Sequence, residues 1–94
     1  MKIALSKPIT VGEKSLEALD LDLDALTGAD IDFCVREATA FKGESVRVLV
    51  TDTELHIQIA AKASGIPAEA IKRLPARDYV EVATTVQAFL TGSV

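Results

Sequence analysis

The pattern of apolar and polar residues in the first quarter of the chain predicts a β-hairpin, although residues 2–9 alternate poorly and only the second strand alternates clearly. Residues 2–9 are compatible with a strand, and Pro8 suits an edge position because proline donates no ladder hydrogen bond. Gly12 marks a turn after them. From Leu19 onward leucine alternates with aspartate, which is the period of two expected when one face of a strand is buried. We therefore expect an antiparallel hairpin over residues 1–25.

The next segment predicts an α-helix with recognisable signals at both ends. Thr27 stands three residues before Asp30, which is close to a capping box, and Gly43 provides a stop after Phe41. The residues at helical spacing form an apolar stripe of Ile31, Val35 and Ala38, extended by Cys34 and Phe41. The β-branched content of residues 45–50 leaves a short strand and a connector both open.

Helical spacing continues to the end of the chain, where glycine and proline divide it into three segments. The expected helices run from a cap at Thr51 or Asp52 to Ser64, from Pro67 to about Leu74, and from Pro75 to Gly92. Strands that precede helices indicate the α+β class, with an N-terminal antiparallel β-hairpin followed by three to four α-helices. On length we expect a single domain over residues 1–94, with the hairpin at 1–25 and the helical part at 27–92.

Composition narrows the class of protein. The chain is 49% hydrophobic and 26% charged, which is typical of a globular domain rather than a disordered tail. Its single cysteine, Cys34, cannot form an internal disulfide, so a reducing compartment fits better than secretion. The sequence contains neither a signal-peptide pattern nor an apolar run of membrane-spanning length. We therefore expect a cytoplasmic protein.

Charge is unevenly distributed along the chain and bears on the class of partner. The formal net charge is -4, and the first 32 residues alone contain three lysines against seven acidic residues. An acidic chain repels nucleic acid over most of its surface, although a local basic patch can still bind it. The charge pattern therefore disfavours nucleic acid as the partner.

No residue pattern in the chain indicates catalysis, a metal or a cofactor. The alternating aspartates suggest a calcium loop, but Ala25 and Ile31 occupy the positions where such a loop needs glycine and glutamate. His56 is the only histidine and has no companion ligand one turn later, so it cannot complete a zinc site. Cys34 lies on a helical apolar stripe without a glycine-rich oxyanion motif beside it, which favours packing over nucleophilic chemistry. We expect no enzyme activity, no metal and no cofactor.

A helix-turn-helix is the DNA-binding interpretation that the sequence leaves open. Ala61, Gly65 and Ile71 have the spacing of such a motif, and basic residues lie nearby. Against this interpretation, Pro67 and Ala68 occupy the positions that would meet bases, where arginine, asparagine or glutamine is usual.

The last helix carries an apolar stripe that is either core or a surface for another protein. Most of it must be core, because so short a chain has little else to bury. Its final turns, however, are expected to be packed from one side only, which leaves apolar area for a partner. The residues predicted for a partner surface are Leu55, Ile59, Tyr79, Val82, Val86, Phe89 and Leu90.

Several segments of the chain, taken in order, resemble a known family. These segments are Leu5-Ser6-Lys7-Pro8-Ile9, the Leu/Asp strand that follows it, Thr27-Gly28-Ala29-Asp30, Ala60-Ala61-x-Ala63-x-Gly65-Ile66-Pro67, Leu74, Asp78 and Val86-x-x-Phe89-Leu90. In order and spacing they resemble the small tail assembly chaperones of Mu-like contractile-tailed bacteriophages and related prophages. The resemblance covers nearly the whole chain.

The resemblance implies a non-enzymatic role in phage assembly. Such chaperones bind the long, aggregation-prone tape measure protein in the host bacterial cytoplasm before the tail tube polymerises around it. A binder that must release its partner acts best through many weak copies, which predicts self-association or stacking along the partner. The alternatives are a small helix-turn-helix DNA-binding regulator and a structural tail or neck subunit.

Overall fold

The computed structural model describes residues 1–44 and 52–92, and in this part of the chain an antiparallel hairpin precedes four α-helices. The strands are β1 (Lys2–Val11) and β2 (Lys14–Asp20), followed by a 3-10 turn at Leu23–Ala25. The helices are α1 (Gly28–Lys42), α2 (Thr53–Ser64), α3 (Ala68–Lys72) and α4 (Ala76–Leu90). The predicted α+β class and its order of elements are confirmed. The strand or connector predicted at residues 45–50 lies outside the described residues.

The hairpin is shorter than the alternation of leucine and aspartate predicts. β2 ends at Asp20, and the 3-10 turn begins at Leu23, so the strand does not reach residue 25. The alternation itself is retained, because Leu19, Leu21 and Leu23 are buried while the aspartates between them are exposed. The ladder ends here because Lys2, the first residue of β1, pairs with Asp20, and the N–H of Asp22 donates instead to the carbonyl of Ala63 in α2, 3.2 Å away.

Local signals set the helix ends where the sequence predicts them. At the start of α1, the N–H of Asp30 donates to Oγ1 of Thr27, and the N–H of Thr27 donates to Oδ2 of Asp30, which completes a capping box. Asp52 caps α2 through a side-chain hydrogen bond. Gly43 and Gly65 end α1 and α2 with φ of 76° and 74°, a left-handed conformation that favours glycine.

α2 lies at the centre of the molecule. It contacts α1, α3, α4, β2 and the 3-10 turn. Residues 55–57 are consecutive and all buried, although successive side chains of a helix point about 100° apart, so neighbours cover α2 on more than one side. The core around it is almost entirely aliphatic, and its largest fully buried members are Leu19, Leu21, Leu55, Ile57, Ile59, Ile71, Val82 and Val86.

A large bulge in β1 connects the hairpin to α4. Ala4 pairs with Ala18 and Ile9 with Leu16, so four residues of β1 oppose a single residue of β2. Ser6, inside the bulge, turns its N–H and its hydroxyl toward the carboxylate of Asp78 in the first turn of α4. The two shortest of these hydrogen bonds measure 2.9 and 3.0 Å, and Asp78 is only 2% exposed. The buried carboxylate therefore holds the bulge against α4.

Replacement of Asp78 by alanine should destabilise the fold strongly, because it leaves the N–H of Ser6 without its acceptor. We expect a loss of about 2–3 kcal/mol in the free energy of unfolding, measured by urea denaturation followed by circular dichroism. The control is Ser6→Ala, which removes the hydroxyl bond alone and should cost about 1 kcal/mol. Equal, small losses in both variants would contradict this role for Asp78.

Acid should weaken the starts of α1 and α2. The backbone hydrogen bond from Thr27 lowers the pKa of Asp30, and the pKa of Asp52 is lowered by its bonds to Lys42 and Leu55 although burial opposes the shift. A carboxylate with a lowered folded-state pKa contributes stability above its ordinary value of 3.8, and that stability is lost as the pH falls through the folded value.

The test is the melting temperature between pH 5 and pH 2.5, roughly the range in which such carboxylates titrate. We expect a steeper fall below about pH 4 for the natural chain than for the Asp30→Asn, Asp52→Asn double variant. Asparagine keeps an acceptor at each cap but does not titrate. Parallel curves for the two proteins would show that these caps do not contribute to acid unfolding.

Candidate functional site

The residues predicted for a partner surface divide into a buried group and a partly exposed group. Leu55, Ile59, Val82 and Val86 have no exposed area and belong to the core around α2 and α4. The other three, Tyr79, Phe89 and Leu90, are partly exposed and pack against that core from its margin. A partner can reach only this second group without opening the fold. Only three of the seven predicted residues are therefore accessible as a binding surface.

These three residues, which we call the α4 edge, lie along the last helix. Tyr79 and Leu90 are separated by eleven positions, or about three turns, and so share one side of α4. Phe89 lies nearer the middle of the buried side, in line with Val82 and Val86. It is nevertheless partly exposed, because it stands in the last turn of the helix.

The surface of α1 carries two aromatic residues that the sequence analysis did not assign to a binding surface. Phe33 is 42% exposed and Phe41 is 68% exposed. Cys34 and Ala38 are buried as the predicted stripe requires, but Phe41 is not, so its assignment to that stripe is wrong. Phe41 stands in the last turn of α1, where its ring meets a lysine from α3 instead of the core. In the sequence, the signal that marks Phe33 as a surface residue is its position next to Cys34, which places it off the buried stripe.

A shallow apolar depression adjoins Phe33. Its volume is about 340 Å³, and its walls come from the second half of α2 and the turn that leads to α3. The lining residues are Phe33, Gln58, Ala61, Lys62, Gly65, Ile66 and Pro67. We call this depression, together with Phe33 and Phe41, the α1 surface.

Two lysines hold the aromatic rings of the α1 surface from one side. Nζ of Lys62 lies 4.9 Å from the centroid of the Phe33 ring, and Nζ of Lys72 lies 3.4 Å from that of Phe41. Each lysine also pairs with an acid, Lys62 with Asp30 at 3.8 Å and Lys72 with Glu54 at 2.8 Å. The rings are therefore positioned in the free protein while they keep accessible apolar area.

Cysteine and histidine are the side chains that most often take part in catalysis or metal binding, and here Cys34 and His56 are both buried. Burial raises the pKa of the Cys34 thiol to about 11, so the group is a neutral thiol at physiological pH and a poor nucleophile. His56 is 3% exposed, and its Nε2 atom has no hydrogen-bond partner among residues 1–44 and 52–92. Within those ranges no three His, Cys, Asp or Glu side chains converge as a metal site would require.

The helices of the described part of the chain are all too short or too polar to cross a bilayer.

Comparison with known sequences identifies the protein family. The sequence profile of the phage tail assembly chaperone proteins "E, or 41 or 14" matches residues 2–91. The chain belongs to this family. The match extends from the first strand to the end of α4, so both elements of the predicted architecture lie within it.

No curated protein and no solved structure is significantly similar to the chain. A tail assembly chaperone acts by binding other tail proteins, which directs attention to accessible apolar surface. The two surfaces of this kind described above are the α4 edge and the α1 surface, and they differ in exposure. The rings of the α1 surface project into solvent, whereas the residues of the α4 edge are shared with the core.

Single alanine substitutions should separate core from surface in this chaperone. We expect Leu55→Ala to lower the free energy of unfolding by about 2–5 kcal/mol, because it opens a cavity beside α2. Phe41→Ala should change it by less than about 1 kcal/mol, which is the weight of an exposed cation–π contact. Chemical denaturation measures both values. A stability loss at Phe41 as large as that at Leu55 would show that the ring is packed in solution.

Proposed function

We propose that this tail assembly chaperone binds the tape measure protein of its phage in the host cytoplasm, before the tail tube polymerises, and catalyses no reaction. The family supplies the assembly role, and the resemblance stated above to chaperones of Mu-like phages supplies the partner. The observation that carries the proposal is the exposure of Phe33 and Phe41. They are two of only three phenylalanines in the chain, and neither is buried.

Exposed rings of this size favour a protein partner with apolar surface. Burial of a phenylalanine side chain is worth about 1.5–3 kcal/mol, so a partner that covers both rings gains a useful part of its affinity from them. A tape measure protein is a long helical chain with apolar seams, and such seams aggregate unless something covers them. The α1 surface offers two aromatic anchors and an apolar depression for that purpose.

The spacing of the two rings suits a helical partner. Phe33 and Phe41 are eight positions apart on α1, which corresponds to about 12 Å along the helix axis. Apolar residues seven or eight positions apart on a second helix recur at about the same distance, as in other helix-in-groove complexes. Phe33 and Phe41 lie on one i±4 row of side chains, which is inclined to the axis of α1, so a partner helix that crosses α1 along this row can contact both rings.

The charge of the chain supports a role in keeping an apolar partner soluble. The net charge of -4 gives a complex formed with the partner a repulsive acidic exterior. Each copy covers only a short stretch of a long protein, so many copies bound side by side are needed, and avidity replaces tight single contacts. Self-association along the partner follows from that arrangement.

The short length of α3 disfavours the DNA-binding alternative. The segment that would serve as recognition helix, α3, spans only Ala68–Lys72. A helix of five residues is under two turns long and places few side chains in a major groove.

The third candidate is a structural tail or neck subunit. It differs from an assembly chaperone in that such a subunit stays in the particle and is present in purified virions.

Co-expression with the tape measure protein encoded in the same genome tests the proposal. We expect the natural chain to keep that protein in the soluble fraction and to co-purify with it. The Phe33→Ser, Phe41→Ser variant should remain folded but lose most of the co-purified partner, because it lacks both anchors. The control is Val80→Ser, which removes apolar area from a residue of α4 that is 60% exposed and lies outside both surfaces.

Each outcome bears on a different part of the proposal. Precipitation of the tape measure protein beside a folded, soluble natural chain would overturn the proposed function. Retention of the partner by the double phenylalanine variant would overturn the α1 surface alone. Stable incorporation of the chain into purified virions would favour the structural subunit, and binding to DNA that weakens steeply with salt would favour the regulator.

A further inference from the structure

The side of α1 that faces away from the core carries a regular row of exposed residues. The row has spacings of four, three and four positions, and its members are Ala29, Phe33, Arg36 and Ala40. Such spacing places side chains along one face of a helix and is the spacing of the contact row in paired helices. The opposite side of α1, with Cys34 and Ala38, is buried against α2. We call the exposed row the outer face of α1.

Charged residues lie along both sides of the outer face. Asp32 and Arg36 are one turn apart on one side, and Glu37 is on the other. All three are exposed, and within residues 1–44 and 52–92 none of them forms an ion pair. Their charges are therefore accessible to another molecule.

Lys62 of α2 adds a base to the side that carries Glu37. Its Nζ is 3.8 Å from the carboxylate of Asp30 and 4.9 Å from the centroid of the Phe33 ring. Asp30, Phe33 and Glu37 are spaced three and four positions apart, so they share this side of α1. A distance of 3.8 Å is too long for a hydrogen bond, so the exposed Lys62 keeps its donors for a second acid. Each side of the outer face therefore has one acid and one base.

We propose that two copies of the chain pair through their outer faces, with the two α1 helices parallel and in register about a two-fold axis. The two Phe33 rings then meet, and the small Ala40 side chains let the helices approach closely. A two-fold axis parallel to the helices brings opposite sides of the two outer faces together. Arg36 of each copy therefore meets Glu37 of the other, and Asp32 meets Lys62.

Charge complementarity favours a second copy and selects the parallel orientation. In an antiparallel two-fold pair, like sides of the outer faces meet, so Arg36 would oppose Arg36 and Glu37 would oppose Glu37, which is unfavourable. In the parallel pair each acid meets a base at nearly the same level of the helix. The four charged residues of the outer face cancel, so the net charge of -4 comes from other parts of the chain.

The pair covers Phe33, which the tape measure protein also needs. The inference that pairing protects this ring until the partner arrives rests on the proposed function, whereas the pair itself does not. One face of the 15-residue α1 is smaller than the roughly 800 Å² per partner of a stable complex, so we expect a Kd of about 10 μM to 1 mM. A pair this weak gives way to a long partner that binds many copies.

Sedimentation velocity of the full chain over a range of concentrations tests the pair. We expect a reversible equilibrium of monomer and dimer. Arg36→Glu should raise the Kd of the dimer by about tenfold or more, because it places two acids together. The matched control, Arg77→Glu, makes the same change of charge at an exposed residue of α4 and should change the Kd by no more than about twofold.

A charge swap makes this test independent of any loss of folding. The double variant Arg36→Glu, Glu37→Arg keeps the net charge of the natural chain, and each acid again meets a base across the two-fold axis. It should recover most of the affinity that Arg36→Glu alone loses. A single variant that is merely misfolded would not be rescued by the second substitution.

A cysteine cross-link reports the orientation and the competition. Ala40→Cys should form a disulfide-linked dimer under mild oxidation, because the parallel pair brings position 40 of both copies together. Val80→Cys, at a site on α4 that is 60% exposed, should not, and the natural Cys34 is buried. An excess of tape measure protein should suppress the cross-link at position 40.

The outcomes separate this inference from the proposed function. A natural chain that is monomeric at about 1 mM, or a charge swap without rescue, would overturn the pair. A cross-link that persists in the complex with the tape measure protein would overturn the protection of Phe33. Loss of tape measure binding by Arg36→Glu in a monomeric chain would assign the outer face to that partner instead. If the natural chain dimerises but the tape measure protein precipitates, the proposed function falls and the pair stands.

Discussion

The two hydrogen-bond donors of Ser6 converge on the buried carboxylate of Asp78, and the position of the hairpin depends on this contact. A two-stranded hairpin is marginally stable alone, and the bulge in β1 removes ladder bonds at its middle. Asp78 replaces those bonds from the first turn of α4, so the same residue holds the strand and orients the helix. With that end held, the hairpin places Leu19 in the shared core, and Leu21 and Leu23 meet the far end of α4 at Phe89.

The division of apolar side chains between core and surface follows from the small size of the chain. Aliphatic residues around α2 fill the interior, and two phenylalanines are left outside it. Lysines that are themselves paired with acids cover one side of each ring, so the free protein exposes less apolar area than its sequence suggests. This arrangement suits a binding protein that must remain dispersed before its partner arrives and must still offer apolar contacts when it does.

Much of the fold could be predicted from sequence, but the candidate binding surfaces could be predicted only in part. The stripe Tyr79, Val82, Val86, Phe89 and Leu90 was recognisable as one side of a helix, yet periodicity does not say which members a neighbouring element will cover. Val82 and Val86 are fully buried in the shared core, whereas Phe89 stays partly exposed beside the end of the hairpin. Phe41 has the spacing of a core residue, yet it is 68% exposed, and its ring lies against Lys72 of α3.

The sequence by itself determined what depends on neighbours along the chain. The capping box at Thr27, the left-handed glycines at 43 and 65 and the inward side of the leucine–aspartate alternation require only local geometry, and each is present. Tertiary structure alone decided what depends on distant residues. The contact between Ser6 and Asp78 joins positions 72 residues apart, and Leu21 and Leu23 line one small cavity together with Phe89 of α4. No local pattern encodes such pairings, because they arise only when separate elements compete for the same small core.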